Sequence, residues 1–563
     1  MAEQRDSAVP SEISGHGGSH AVSAAVAAGQ QVMWTLSGAH VFPLYDAAVG
    51  GRDQILTGGA GPMRLLDVRN EATAAFAAEA TGKLTRTPGL AVVTAGPGVT
   101  NTVSAITGAW FNGSPMVVVG GRAPGNRWGS GALQELDHPP ILDTVTKRAA
   151  TIVEPTLIGQ AVTEAFQLAN SPHRGPVFLD IPMDALFTES TASVTTIDSP
   201  RQATDDEQAS RIAALLASAA RPVLILGSDV WMGRADNTAR DFATELDLPV
   251  IANGMGRGIL PPDHPGLVTR ARSTALAEAD LVVVVGAPLD FRLGFGSFGG
   301  RAGNPPAEVV HIVDAPSQIA QHVDLVASAA GPIEPTLASI RSHFSGQIEA
   351  RHPWRTRLRE QHLAAIAADA ALLASDADPI HPARIYGELI PRLTDDTIVI
   401  GDGGDFVSFA GRFLQPAQPG NWLDPGPYGC LGTGLGYAMA ARVTRPNSPV
   451  ILLMGDGAAG FSLPDVDTLV RHNLPVVMVV GNNSAWGLEK HPMQFLYGYD
   501  VAADLQPTRY DDVVKALGGA GETVSDPRQI GPALDRALAA NVPYLVNVLT
   551  DPGVAYPRST TGV

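Results

Sequence analysis

The sequence predicts an α/β protein built from three doubly wound domains with mainly parallel sheets. Three observations point there. Short apolar runs ending in glycine recur along the 563 residues: 90–95 (LAVVTA), 116–119 (MVVV), 222–226 (PVLIL) and 281–285 (LVVVV). Apolar runs of about four to eight residues between turn signals fit strands buried on both faces. Alanine-rich stretches of helical character, such as 71–80 and 208–220, lie between runs, and alternating strands and helices build parallel sheets covered by helices. Two segments interrupt the alternation: 189–207, rich in Ser, Thr, Asp and Pro, and 345–379, charged, Ala-rich and ending in Asp378-Pro379. Both read as connectors. The chain therefore divides into a polar Gly/Ser-rich lead-in expected to be disordered (1–20), α/β units at 21–190, 205–345 and 375–550, and a Pro/Ser/Thr tail (551–563).

Composition narrows the function classes. The 38 Lys and Arg against 56 Asp and Glu leave a formal charge of −18, which argues against a nucleic-acid partner, because such proteins present a basic face. No stretch approaches the roughly 18 continuous apolar residues of a membrane span, and the N-terminus lacks the apolar core of a signal peptide. Cys430 is the one cysteine, so no internal disulfide and no thiolate metal cluster can form. The expectation is a soluble cytoplasmic protein.

The chemistry-bearing pattern lies in the third unit. Gly455-Asp456-Gly457 closes the apolar run 449–454, and Asn482-Asn483 closes the next run, 474–480. The 27 positions from Asp456 to Asn483 fit strand, helix and adjacent parallel strand, so both side chains emerge at one sheet edge. A carboxylate and an amide there suit a hard divalent cation such as Mg²⁺, which takes oxygen ligands at about 2.0–2.1 Å and shares phosphate oxygens. Asp456, Asn483 and a backbone carbonyl near Ala485 are the candidate metal ligands. Gly455, Gly457, Ala458 and Ala459 form the turn and helix start that can hold a diphosphate. In the first unit Glu71 opens a helix, where an acid is favoured by the dipole. Gly96-Pro97-Gly98 reads alone as a turn that lets backbone approach closely.

Arg69-Asn70-Glu71, Gly96-Pro97-Gly98, Gly429-Cys430-Leu431-Gly432, Gly455-Asp456-Gly457 and Asn482-Asn483 together resemble the thiamine-diphosphate-dependent decarboxylase superfamily. The resemblance spans nearly the whole chain and implies a thiamine-diphosphate-binding fold, ordered as pyrimidine-binding (21–190), middle (205–345) and diphosphate-binding (375–550) domains. It implies thiamine diphosphate and Mg²⁺ as cofactors. Glu71 would hydrogen-bond N1′ of the aminopyrimidine, and Leu431 would wedge the cofactor into a V. Gly96, Asn101, Gly404, Asp405 and Gly429 join the expected cofactor contacts. The chain departs from the pattern at Asn70, where a histidine is usual, and at Ser484-Ala485, where glycine and a larger apolar residue are usual.

The middle unit resembles the 2-hydroxyacyl-CoA lyase and oxalyl-CoA decarboxylase branch. Arg270, Arg272, Ser273 and Arg292 carry that likeness, with Asp314 at a strand end where an acid can meet a ribose. Arginines supply what a polyanion needs in an acidic protein, although surface ion pairing would explain each one alone. The likeness implies binding of coenzyme A, or ADP. In the same branch Gln134 and Glu135 match a catalytic loop, Glu489 a proton donor and His40 a loop beside the reaction centre. The segment from Trp486 onward, including 488–493 (LEKHPM), is similar to actinobacterial-type relatives, whose tail can close as a lid. The expected activity is a 2-hydroxyacyl-CoA lyase releasing formyl-CoA and an aldehyde or ketone, reversible as an acyloin condensation. Open alternatives are an oxalyl-CoA decarboxylase, an acetolactate-synthase-like enzyme using free 2-oxo acids, and a non-catalytic thiamine-diphosphate- or CoA-binding protein. Glu71 and Asp456 come from different subunits in the superfamily, which implies a homodimer at least and suggests a homotetramer.

Overall fold

The computed structural model describes residues 12–193, 204–300 and 303–557. The apolar runs become strands, and they are buried on both faces because consecutive residues point to opposite sides. In the strand Pro222–Leu226, Val223 and Ile225 enter one core while Leu224 and Leu226 enter another. Helices therefore have to cover both faces, which is the doubly wound arrangement.

Three parallel sheets result. The first has the order Arg64–Asp67, Val32–Thr35, Gly89–Val93, Met116–Arg122, Pro176–Pro182, Ala149–Thr151. The second runs Val250–Ala252, Pro222–Leu226, Leu281–Val285, Glu308–Val313, Ala327–Ala330. The third runs Trp422–Leu423, Ile398–Asp402, Val450–Gly455, Val477–Asn482, Tyr544–Leu549, Ala520–Val524. Every pairing within these sheets is parallel. No helix among the described residues is long and apolar enough to cross a membrane.

By contact the chain forms two compact units, residues 1–200 with 435–440, and residues 201–434 with 441–563. The second and third sheets share the second unit because side chains cross between them. Arg257 donates to the Leu414 carbonyl at 3.1 Å and lies over the Trp422 ring, 4.4 Å from its centroid. Gly258 sits so close to the 418–419 backbone that an added Cβ would lie 2.1 Å from the Gln418 oxygen.

Two sequence expectations are corrected. Part of the lead-in is regular structure: Glu12–His16 pairs antiparallel with Glu189–Ser193, and the helix Gly17–Ala27 follows directly. The same pairing removes 189–193 from the first connector, with Ser14 Oγ and Thr191 Oγ1 hydrogen-bonded at 2.8 Å. Composition marked both segments as loose because each is polar, while the partner strand lies far away in sequence. Residues 1–11 and 194–203 fall outside the described residues, as do 558–563 of the tail, and the last two connector positions already open the helix Asp206–Ser218. The second connector holds the helix His352–Ala368, in line with its alanine content.

The first unit encloses a buried charged cluster around Glu79. The Glu79 side chain is 0% exposed and accepts from Asn112 Nδ2 at 2.8 Å, Ser114 Oγ at 3.1 Å and the Tyr437 hydroxyl at 2.8 Å, and pairs with Lys83 Nζ at 3.1 Å. Removing one partner of a buried pair strands the other charge, at a cost of about 3–5 kcal/mol. Glu79→Ala should therefore lower the midpoint of thermal unfolding in calorimetry, and an unchanged midpoint would contradict this role.

Candidate active site

The third sheet brings its chemistry to one edge by register. Gly455 stands opposite Gly481 and Asp402 opposite Met454, so Gly403, Asp456 and Asn483 all leave the sheet at the same end. The Asp456–Ser462 helix and its continuation Val466–Arg471 fill the crossover. A cavity of about 80 Å³ opens at that edge. Of the residues singled out in sequence, Gly404, Asp405, Leu431, Gly455, Asp456, Gly457, Ala458, Asn483, Ala485 and Glu489 line it. Ala459 lies behind it, buried in the helix.

Asp456 is 3% exposed. Its Oδ1 accepts from the Gly457 amide at 3.0 Å, and among the described residues nothing donates to Oδ2. Burial pushes this carboxyl up to about 6, against the opposing pull of the Gly457, Ala485 and Ser484 amides. A buried carboxylate oxygen with no donor, beside an amide oxygen and backbone carbonyls, is the hard-oxygen donor set that suits Mg²⁺. The two asparagines divide their roles. Asn482 is spent on structure, donating to the Thr508 carbonyl and Asn547 Oδ1, both at 3.1 Å. Asn483 faces the cavity, its Oδ1 accepting from Ala485 N–H at 3.1 Å with a lone pair to spare.

Two further residues shape this edge. The Trp486 ring lies so close to Gly457 that a Cβ there would sit 2.4 Å from it, so the glycine is required by contact. Asp402 is fully buried and accepts from the amides of Gly432 at 3.1 Å and Gly434 at 2.8 Å, fixing the loop that carries Leu431. Burial pushes its carboxyl up to about 7. Its one sequence signal was an acid ending the apolar strand Ile398–Asp402.

In the first unit Glu71 is 8% exposed and accepts from Asn101 Nδ2 at 3.0 Å. Asn70 caps the same helix by accepting from the Ala72 amide at 2.8 Å. One helical turn, Pro97–Thr100, joins Asn101 to Gly96. Gly96 needs its freedom: its φ is 57°, and a Cβ would lie 2.9 Å from Gln134. Its amide donates to His138 Nε2 at 2.9 Å, and His138 Nδ1 faces Asp180 Oδ2 at 2.8 Å, which Arg122 also grips at 2.8 Å. Sequence reading passed over His138, since a lone histidine carries no motif. His40 is buried against Thr94 Oγ1 at 3.1 Å, and burial lowers its pKa. Gln134 thus packs on the Gly96 turn. Glu135 turns into its own loop, accepting from Gly129 N at 3.0 Å and Ala132 N at 3.2 Å.

A larger cavity, about 770 Å³, shares Gly403, Gly404, Leu431, Leu488 and Glu489 with the first. Gly429, Arg270, Arg272, Ser273 and Arg292 line it, and Arg257 and Arg412 join them. Both newcomers lie outside the motif, so only the fold reveals them. Burial pushes the Arg257 guanidinium down to about 10. Ion pairing explains part of the set: Arg270 and Arg412 share Asp369, and Arg292 binds Asp290 Oδ2 at 2.7 Å. Asp314 is the acid expected at a ribose contact. It is buried after the strand Glu308–Val313 and is not among the cavity's lining residues. The tail reaches the same place, with Tyr556 lining the cavity and its amide donating to Asp405 Oδ2 at 3.3 Å.

With this geometry in hand, the chain proves to match three family descriptions in order. They are the N-terminal TPP binding domain (residues 16–141), the central domain (209–340) and the C-terminal TPP binding domain (402–548) of thiamine pyrophosphate enzymes. The chain belongs to the thiamine pyrophosphate enzymes. It is an α/β enzyme that makes or breaks a carbon–carbon bond with thiamine diphosphate and Mg²⁺. It is 46% identical to the acetolactate synthase large subunit of Mycobacterium tuberculosis, over 94% of this chain and 95% of that one. It is 32% identical to 2-hydroxyacyl-CoA lyase 2 of Caenorhabditis elegans (95% and 89% covered) and 30% identical to that of Homo sapiens (91% and 85%). The likeness to acetolactate synthase therefore outweighs the lyase branch to which the middle-unit motif pointed.

Asp456→Ala should release Mg²⁺ and thiamine diphosphate together. Thiamine diphosphate retained in the purified variant at wild-type level, by mass spectrometry after desalting, would contradict the metal role.

Proposed function

We propose that the protein condenses free 2-oxo acids in the manner of an acetolactate synthase. The observation that carries this reading is 46% identity to such an enzyme along 94% of the chain. The arginine-lined cavity supports it, because guanidinium groups bind carboxylates in bidentate fashion. Bound thiamine diphosphate supplies the electron sink for the carbonyl carbon. The chain's own residues do the rest. Asp456, Asn483 and a carbonyl near Ala485 would hold Mg²⁺, and Leu431 would shape the cofactor pocket. Glu71, held by Asn101, would hydrogen-bond the pyrimidine ring. Glu489 stands exposed where the two cavities join, a position suited to moving a proton at the substrate oxygen.

A second reading is a 2-hydroxyacyl-CoA lyase. It is favoured by the size of the 770 Å³ cavity and its five arginines, 257, 270, 272, 292 and 412, which leave room for a phosphate-bearing thioester beside the cofactor pocket. Holoenzyme given pyruvate should yield acetolactate by mass detection. Holoenzyme inert to pyruvate but joining formyl-CoA to an aldehyde or ketone would replace the first reading by the second. Under either reading Glu489→Ala should lower turnover by about 10²–10⁴-fold, the usual contribution of a general acid or base, with thiamine diphosphate still bound. Unchanged turnover would remove Glu489 from the proton steps.

A further inference from the structure

A third cavity, about 350 Å³, lies in the second unit beyond the wall formed by Arg270 and Arg412. Its body is apolar, with Leu267, Ile366, Ile390, Leu393, Val399 and Phe413 among the walls. Of its polar groups, Thr269, Thr394 and Thr397 are hydrogen-bonded within the chain and Asp395 stands exposed, while two buried donors lack acceptors. Arg270 Nε and Gln415 Nε2 are buried and, among the described residues, have no acceptor. His362 is 3% exposed and accepts at Nδ1 from the Arg270 amide at 3.1 Å. Burial, with Arg359 and Arg270 nearby, pushes its pKa down to about 4, so near neutral pH the ring is uncharged. The hydrogen bond at Nδ1 places its proton on Nε2, a third donor on the lining. Asp369 does not offset them, because Arg270 Nη2 and Arg412 Nη2 already occupy its two oxygens.

Apolar walls with buried donors that lack acceptors select a ligand with an apolar body and one anionic, acceptor-only end. We propose that this cavity binds a small apolar monocarboxylate, at a site separate from the cofactor pocket. Arg270 and Arg412 also line the 770 Å³ cavity. Occupancy of one cavity therefore alters the wall of the other, and any coupling of affinities acts equally in both directions.

The probe is phenylacetate, titrated by calorimetry into holoenzyme carrying thiamine diphosphate and Mg²⁺. Saturable binding is expected at about millimolar concentrations or below. Phenylacetamide, its neutral isostere, should bind about tenfold more weakly or worse, since bonds to a charged acceptor are the stronger ones. Ile366→Trp narrows the cavity from an exposed position on the helix His352–Ala368, and Gln415→Ala removes one donor. Each should weaken phenylacetate binding while thiamine diphosphate content stays at the wild-type level. Absence of saturable binding, equal binding of the amide, or wild-type affinity in both variants would overturn the assignment. The last of these would place phenylacetate elsewhere, including the substrate cavity.

Discussion

The structure turns on one carboxylate at a sheet edge. Asp456 is driven into the interior by the strand that precedes it and the helix that follows, and its outer oxygen meets no donor among the described residues. A charge placed so costs several kcal/mol unless a cation or hydrogen bonds meet it. Much of the surrounding architecture follows from that demand. The parallel register aligns Gly455 with Gly481 so that Asn483 arrives beside the acid. Asn482 is tied to Asn547 and Thr508, which fixes the loop. Trp486 closes over Gly457, where only a glycine leaves room. Asp402, one strand over, holds the Leu431 loop by two backbone amides.

The second constraint is electrostatic. A chain with a net charge of −18 repels anions in general, so anion binding has to be local. The chain concentrates five arginines on one cavity and neutralises some of them with Asp369 and Asp290. Those acids hold the guanidinium groups in place. That arrangement suits a carboxylate or a phosphate alike, which is why the cavity by itself leaves both substrate readings standing and the likeness to acetolactate synthase favours the first.

Much of this was legible in the sequence, for identifiable reasons. Alternating apolar runs and alanine-rich helices specify parallel sheets because the period of each element survives in the residues. The 27-residue offset from Asp456 to Asn483 is set by one crossover, so it can be read directly. What escaped reading depends on contacts between distant segments. The strand Glu12–His16 is polar and becomes visible only through its partner at 189–193. Arg257 and Arg412 belong to no motif, yet both reach the large cavity. Glu135 matched a loop pattern, and its carboxylate serves that loop's own amides.

The central claim is that Asp456 and Asn483 hold a divalent cation against a diphosphate. Mn²⁺ in place of Mg²⁺ makes this visible by pulsed electron paramagnetic resonance of the protein loaded with thiamine diphosphate. The account predicts bound Mn²⁺ that Mg²⁺ displaces and that shows hyperfine coupling to phosphorus. Bound Mn²⁺ without phosphorus coupling, or thiamine diphosphate bound equally well with no metal at all, would contradict it.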